Sequence, residues 1–101
     1  MRRLIAAIAA LVSCAVQADA MDPLLQKSGC SACHAQDRKI VGPAFRDVAT
    51  KYKGDATAPA KLAKKVKEGG AGVWGPVPMP PNSNVSDADI KTLVTYILSL
   101  K

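Results

Sequence analysis

The sequence predicts a small all-α protein with a single domain of about four helices. Three observations favour this class. Apolar residues recur at helical spacing in several segments, no segment alternates between apolar and polar residues as a strand would, and a length of 101 residues matches one domain. No internal repeat or low-complexity linker divides the chain.

The first twenty residues are typical of a secretory signal peptide. Arg2 and Arg3 precede an apolar run from Leu4 to Val16, and alanines at positions 18 and 20 form an A-x-A cleavage site. This run is shorter than the roughly 20 apolar residues that a membrane-spanning helix needs. We therefore expect a cleaved signal peptide at residues 1–20, a domain at residues 21–101 and no transmembrane span in the mature protein.

A competing signal lies in the same stretch. The residues from Leu11 to Cys14 resemble a bacterial lipobox, in which the cysteine is lipidated and becomes the new N-terminus. A complete A-x-A site follows Cys14, which favours cleavage after Ala20. If the lipobox is used instead, the protein is tethered to a membrane.

Three segments of the expected domain each combine a helix-start signal with apolar residues and a glycine that ends the helix. Their predicted starts are Asp22 with Pro23 at the first helical position, Pro43, and Pro59; their predicted ends lie before Gly29, Gly54 and Gly69.

The last helix has the clearest pattern. Its start resembles a capping box from Ser86 to Asp89, with aspartate in place of the usual glutamate or glutamine. Five apolar residues then fall on one helical face. They are Ile90, Leu93, Val94, Ile97 and Leu98.

The segment from Gly70 to Asn82 is apolar but cannot form a regular helix or a central strand. It carries four prolines between residues 76 and 81. A rigid apolar loop of this kind should pack against another part of the molecule. Because only 4% of the residues are aromatic, a large apolar cofactor would supply the missing core.

Charge restricts the partners. The whole chain has a formal net charge of +6; without Arg2, Arg3 and Asp19, the remaining 12 basic and 7 acidic residues give +5. A basic surface suits nucleic acid, anionic lipid or an acidic protein. No nucleic-acid motif is present and an exported protein rarely meets DNA, so we expect no nucleic-acid partner.

The stretch GCSACHA brings Cys30, Cys33 and the only histidine, His34, together. A zinc site needs four ligands, or three and a water, and the mature chain has no further cysteine or histidine. A disulfide would close a very small loop and stabilise little, and a thioredoxin-like motif needs a βαβ context. The C-x-x-C-H spacing is the attachment motif of a c-type haem, in which both thiols form thioethers and the histidine reaches the iron.

The second axial ligand is predicted to be Met79. No second histidine exists, Met1 leaves with the signal peptide, and Met21 would be the mature N-terminus. Met79 stands between Pro78 and Pro80, which fix φ and would hold the thioether in place at little entropic cost. His/Met ligation raises the reduction potential of the iron.

Four motifs carry a resemblance over the whole mature chain: GCSACHA, VGPAF, GVWGPVPMPPN and VSDADI. They resemble the small bacterial class I c-type cytochromes, closest to the cytochrome c-551/c-552 group. The resemblance implies a single-domain class I cytochrome c fold, with about four helices wrapped around one covalently bound haem.

The resemblance also implies a role for each matching residue. Cys30 and Cys33 are the expected thioether sites, and His34 and Met79 the expected metal ligands. Three further residues are expected to support them. They are Pro43, whose carbonyl accepts a hydrogen bond from the histidine, Trp74, whose indole N–H bonds a haem propionate, and Asn82, which lies beside the methionine sulfur.

The sequence departs from its relatives at two places. Lys65 stands where some relatives carry arginine near a propionate. The lysine ammonium is a point charge and lacks the planar, bidentate donor geometry of a guanidinium. The stretch NSNVSDADI is slightly longer than in close relatives, which could shift the cap of the last helix.

The expected function is that of a monomeric periplasmic one-electron carrier and not of an enzyme. The resemblance implies a membrane bc-type complex as donor and a terminal oxidase or nitrite reductase as acceptor. We expect a basic rim that steers acidic docking patches of redox partners. Its members would be Lys27, Arg38, Lys39, Lys51 and Lys53.

Two alternatives remain open. A haem-based ligand binder or small peroxidase would need a labile sixth ligand, so that Met79 leaves the iron. A haem module held in a larger complex would use lipidation of Cys14.

Overall fold

A computed structural model describes the backbone of residues 17–101 and the side chains from residue 21 onward. It contains α1 (Gln17–Lys27), α2 (Phe45–Lys51), α3 (Ala58–Glu68) and α4 (Asp87–Leu98), with a short 3₁₀ turn at Cys30–Ala32. The described residues form two isolated bridges and no strand. The prediction of four helices is confirmed, whereas Cys14 and all but the last four residues of the expected signal peptide lie outside the described residues.

The predicted start of the first helix at Asp22 is wrong. Helix α1 begins at Gln17 and continues through Pro23. Alanine and methionine have high helix propensity, and Ala18, Ala20 and Met21 extend the helix backwards. Proline at position 23 removes only one backbone hydrogen bond. Cleavage after Ala20 would remove the first turn and bring Pro23 close to the new helix start, where proline is tolerated.

Helix α4 is the centre of the fold, since α1, α2 and α3 all pack against it. The predicted apolar face is buried, apart from the half-buried Leu98. Leu93 and Ile97 pack with residues of α1 and α2, while Ile90 and Val94 pack with Val85 and with side chains of α3. The N-cap is also as predicted, because the Ser86 hydroxyl accepts a hydrogen bond of 3.1 Å from the Asp89 N–H.

Helices α2 and α3 both pack on α4, and within the described chain their backbones do not approach each other closely. The space between them is a cavity. It is bounded by Val48 of α2 and Tyr52 just after it, Leu62 and Val66 of α3, and two residues of α4. The helices thus form three walls of this cavity, and the irregular segments before α2 and after α3 form the remainder.

The start of α3 depends on one carboxylate. Asp55 Oδ1 accepts hydrogen bonds from the Thr57 N–H at 2.8 Å and from the Thr57 hydroxyl at 2.6 Å, and Lys61 Nζ lies 3.3 Å from Oδ2. The hydrogen bonds from Thr57 lower the pKa of Asp55. Because the folded-state pKa is depressed, this stabilisation is present above the unfolded-state pKa and is lost as the pH falls through the folded-state pKa.

We expect Asp55→Ala to lower the thermal unfolding temperature at neutral pH, since the first turn of α3 loses its acceptor. The difference from the unchanged protein should shrink as the pH falls below the folded-state pKa of Asp55, where the carboxyl is protonated in both states. Circular dichroism melts at neutral and strongly acidic pH measure both values. If the unfolding temperatures of Asp55→Ala and the unchanged protein differed by the same amount at both pH values, the charge of Asp55 would not be what stabilises the start of α3.

Candidate functional site

The cavity between α2 and α3 has a volume of about 280 Å³ and collects side chains from segments far apart in the sequence. Its wall is mostly apolar. Five of the seven predicted site residues contribute to it: Cys33, His34, Pro43, Trp74 and Met79. The fold therefore brings the C-x-x-C-H motif and the proline-rich loop to one site.

The 3₁₀ turn at Cys30–Ala32 positions the histidine. The N–H groups of Cys33 and His34 both donate to the Cys30 carbonyl, at 3.2 and 2.9 Å. The Cys33 carbonyl in turn accepts from the N–H groups of Val41 and Gly42, at 3.2 and 2.7 Å. These bonds fold the segment that follows the motif back onto the motif itself.

The imidazole of His34 has a defined tautomer. Its Nδ1 lies 2.7 Å from the Pro43 carbonyl oxygen, and because a carbonyl can only accept, Nδ1 carries the proton. Nε2 of the neutral ring then keeps its lone pair and can bind a metal ion. The predicted hydrogen bond between His34 and Pro43 is thus present, and it fixes both the tautomer and the ring orientation.

Two neighbours restrict the position of the His34 ring. The ring of Phe45 stacks against it with centroids 5.0 Å apart and an angle of 20° between the planes. Gly42 approaches so closely that a Cβ there would lie 2.9 Å from both ring nitrogens. Sequence reasoning missed Gly42, although its place beside the proline in VGPAF was a usable signal.

The two cysteines have different surroundings. Cys33 lines the cavity, whereas Cys30 lies outside the cavity wall and packs against the cluster formed by α1, α2 and α4. Burial raises the pKa of the Cys30 thiol. Both thiols are free, and the described residues hold no group of three or more cysteine, histidine and acidic side chains suited to a metal ion.

Met79 is held by its backbone. Its N–H donates to the Gly70 carbonyl at 2.7 Å, and the Gly70 N–H donates to the Met79 carbonyl at 3.0 Å. The neighbouring Pro78 and Pro80 have no N–H to donate. Met79 is half-buried and lines the cavity.

The remaining predicted residues lie around this centre. Trp74 lines the cavity and is 42% exposed, and Lys51 Nζ lies 5.5 Å from the centroid of its ring. Lys65 also lines the cavity. The side chain of Asn82 lies outside the cavity wall, where Nδ2 donates to the Val66 carbonyl at 3.1 Å and to the Pro80 carbonyl at 3.3 Å. Its role beside the methionine sulfur stays a prediction.

Exposed apolar side chains surround the opening of the cavity. Val41, Val73, Trp74 and Val77 line it and remain exposed, Val77 by 61%. All five members of the predicted basic rim are exposed, and Lys39 also lines the cavity. The opening therefore combines an apolar surface with positive charge.

This site can enclose a large, flat, apolar cofactor. The wall is apolar, and the donor set is one imidazole nitrogen and one thioether sulfur, a combination that suits iron in a haem. The thiol of Cys33 is at the wall and that of Cys30 is one turn away, so a group that reacts with two thiols would be anchored beside His34. The residues present fit a covalently attached haem.

Comparison with known proteins agrees with this class of site. Residues 23–101 match the family described as Cytochrome c. Cytochrome c-551 of Allochromatium vinosum is 61% identical over 77 residues, covering 76% of this chain and 82% of that protein. Cytochrome c-552 of Nitrosomonas europaea is 53% identical over 96 residues, covering 95% of this chain and 91% of that protein. The crystal structure of wild-type Nitrosomonas europaea cytochrome c552 matches with a TM-score of 0.76 and 53% identity, over 78% of this chain and 98% of that one.

The chain belongs to the cytochrome c family. The predicted class I cytochrome c fold is confirmed, and the cofactor of this family is one covalently attached c-type haem, for which Cys30 and Cys33 have the required spacing. The family consists of electron carriers, so the protein is an electron-transfer protein and not an enzyme. None of the described helices is long and apolar enough to cross a membrane.

Proposed function

We propose that the protein is a periplasmic one-electron carrier with a single low-spin haem whose iron is ligated by His34 and Met79. The observation that carries this proposal is that Met79 and His34, with its oriented imidazole, line the same cavity. When bound, the haem supplies a one-electron ferric/ferrous couple. Ligation by both residues would leave no position for a substrate at the iron, which favours electron transfer over catalysis.

Each of the other site residues has a proposed part. Cys30 and Cys33 attach the cofactor through two thioethers, and their place in one turn with His34 supports this. Trp74 donates its indole N–H to a propionate, and Lys65, which lines the same cavity, adds a positive charge there. Asn82 holds the methionine loop through its bonds to Val66 and Pro80, and tunes the reduction potential from beside the sulfur.

The visible absorption spectrum of the protein, expressed with its own leader in a bacterial periplasm, tests the ligation. The expected result is a c-type haem spectrum with the weak far-red band of a methionine–ferric bond. A c-type haem without this band would overturn Met79 ligation. It would favour a haem-based ligand binder or small peroxidase with a labile sixth ligand instead.

The proposed location rests on the basic, apolar and A-x-A pattern of residues 1–20. In bacteria, c-type haem is attached outside the cytoplasmic membrane, which agrees with export. Mass spectrometry of the native N-terminus tests this point. A chain that starts at Met21 supports a free periplasmic carrier, and a lipidated Cys14 would replace it with a membrane-tethered one.

We propose that the basic rim steers redox partners that carry acidic docking patches. The electron donor would be a bc-type complex and the acceptor a terminal oxidase or nitrite reductase.

The electron-transfer rate to an acidic soluble partner should fall by roughly tenfold or more from low to high ionic strength. Stopped-flow mixing measures this rate. Lys39→Gln, beside the cavity, should lower the rate at low salt more than Lys91→Gln, an equal charge change on the exposed face of α4. A rate that does not depend on salt would contradict steering.

A further inference from the structure

The C-terminal end of α3 contacts the segment that carries Met79 at several points. We call residues 66–70 the α3 terminus. Its Val66 carbonyl accepts from the backbone N–H of Asn82 at 3.0 Å, and Gly70 exchanges two backbone hydrogen bonds with Met79. Because the four prolines of the loop donate nothing, these bonds to the α3 terminus are the main backbone ties of residues 76–82.

Gly69 is the point of closest approach. Its φ of +74° and ψ of −169° lie in a region that essentially only glycine adopts. A Cβ at this position would overlap the carbonyl oxygen of Met79 and would lie 2.8 Å from the nitrogen of Pro81. Both neighbours are backbone atoms of a rigid proline-rich segment, so they cannot move aside as the end of a flexible side chain would.

Lys67 forms a second, independent tie. Its Nζ donates to the Val85 carbonyl at 2.8 Å and lies 3.1 Å from Asp87 Oδ1. This contact joins the α3 terminus to the end of the loop and to the first turn of α4. The α3 terminus therefore holds the segment at Met79 itself, through Gly70, and at two later positions, Asn82 and Val85.

We infer that Gly69 is a positioning residue for the Met79 thioether, and that the α3 terminus sets the distance between this sulfur and the site of the metal. The inference rests on the proposed ligation by Met79. A side chain at position 69 pushes the Met79 backbone away from α3, and since the loop is rigid, the thioether moves with it. The strength of the sulfur–iron bond would then depend on a helix end that supplies no ligand.

The test compares Gly69→Ala with Gly54→Ala in the ferric haem-loaded protein. Gly54 has φ +80°, so alanine also has to adopt a positive φ there, but its Cβ would meet no atom within 4 Å. Imidazole is added, and the loss of the far-red band gives its apparent affinity as a competitor of Met79. We expect this affinity to rise about tenfold in Gly69→Ala and to stay within about twofold of the unchanged protein in Gly54→Ala. The reduction potential should fall in Gly69→Ala alone.

The outcomes separate this inference from the proposed function. If the unchanged protein lacks the far-red band, Met79 ligation fails and the inference fails with it. If that band is present but the two alanine variants bind imidazole equally, ligation stands and the positioning role of Gly69 is overturned.

A second pair of variants applies if Gly69→Ala does not accumulate. Lys67→Met removes the tie to Val85, and Lys64→Met removes an equal charge from an exposed position of the same helix. Lys67→Met should bind imidazole more tightly than Lys64→Met, and Lys67→Arg should restore the original affinity. Equal affinities in the two methionine variants would overturn the control of Met79 by the α3 terminus.

Discussion

Replacement of Met79 with leucine should abolish the far-red band and lower the reduction potential by an amount on the order of 0.1 V or more, since axial ligands set haem potentials over a wide range. Leucine has a similar volume and apolar character, so the cavity wall and the loop should keep their packing. The backbone hydrogen bonds between position 79 and Gly70 do not depend on the side chain and should remain. The variant therefore removes the sulfur and little else.

The reduction potential is measured by equilibrium redox titration, and the open coordination position by carbon monoxide binding to the ferrous protein. We expect rapid binding in Met79→Leu and none in the unchanged protein over the same time. Met21→Leu is the matched control, because Met21 is also half-buried but packs against the cluster around α1 and α4, away from the cavity wall. A potential and band in Met79→Leu equal to those of Met21→Leu would rule out ligation by Met79.

The fold could be predicted where local signals determine it. Helix α3 ends at Gly69 as predicted, and α2 ends at Lys51, shortly before Gly54. Ser86 caps α4, and the apolar face of α4 is buried as its spacing indicates. Local signals also identify the motif with His34. A local start signal is less reliable where the preceding residues have high helix propensity. For this reason α1 begins before Pro23.

The candidate site was predictable in its donors but not in the contacts that hold them. The roles of Gly42 and Gly69 depend on backbone approaches between segments that are separate in the sequence. Residue propensities do not encode such an approach, because a glycine in a loop can be required by a turn, by a positive φ or by a close contact, and the sequence does not distinguish these. The same holds for Asn82, whose amide bonds Val66 of α3, sixteen residues earlier in the chain.

The two proposed ligands are held in different ways. The hydrogen bonds and the ring stacking of His34 come from residues 30–45, through the 3₁₀ turn, the Pro43 carbonyl and Phe45. Met79 depends on the α3 terminus, which must first fold and pack on α4. We therefore expect partial unfolding to release the methionine before the histidine, since local contacts need less ordered chain to persist.

The histidine side of the site should be most sensitive to Gly42→Ala. The φ of Gly42 lies outside the left-handed region, so alanine brings no backbone strain, and the effect comes from the contact of its Cβ with the His34 ring alone. Phe45 stacks on the same ring and the Pro43 carbonyl holds Nδ1, so the ring has little room to move. Overpacking of this kind costs about 1–3 kcal/mol. We expect the ring to leave its hydrogen bond to Pro43, with Nε2 turned away from the metal position.

The measurements are the yield of covalently attached haem per chain and the spectrum of the product. Gly42→Ala should give a low yield, and the haem that is attached should lack the low-spin spectrum of an iron with two protein ligands. Gly54→Ala, in which the Cβ meets no atom within 4 Å, should give the yield and spectrum of the unchanged protein despite its strained φ of +80°. If Gly42→Ala matched Gly54→Ala in both measurements, the close approach of Gly42 would not be what positions His34. The Pro43 hydrogen bond and the Phe45 stack would then be sufficient to hold the ring.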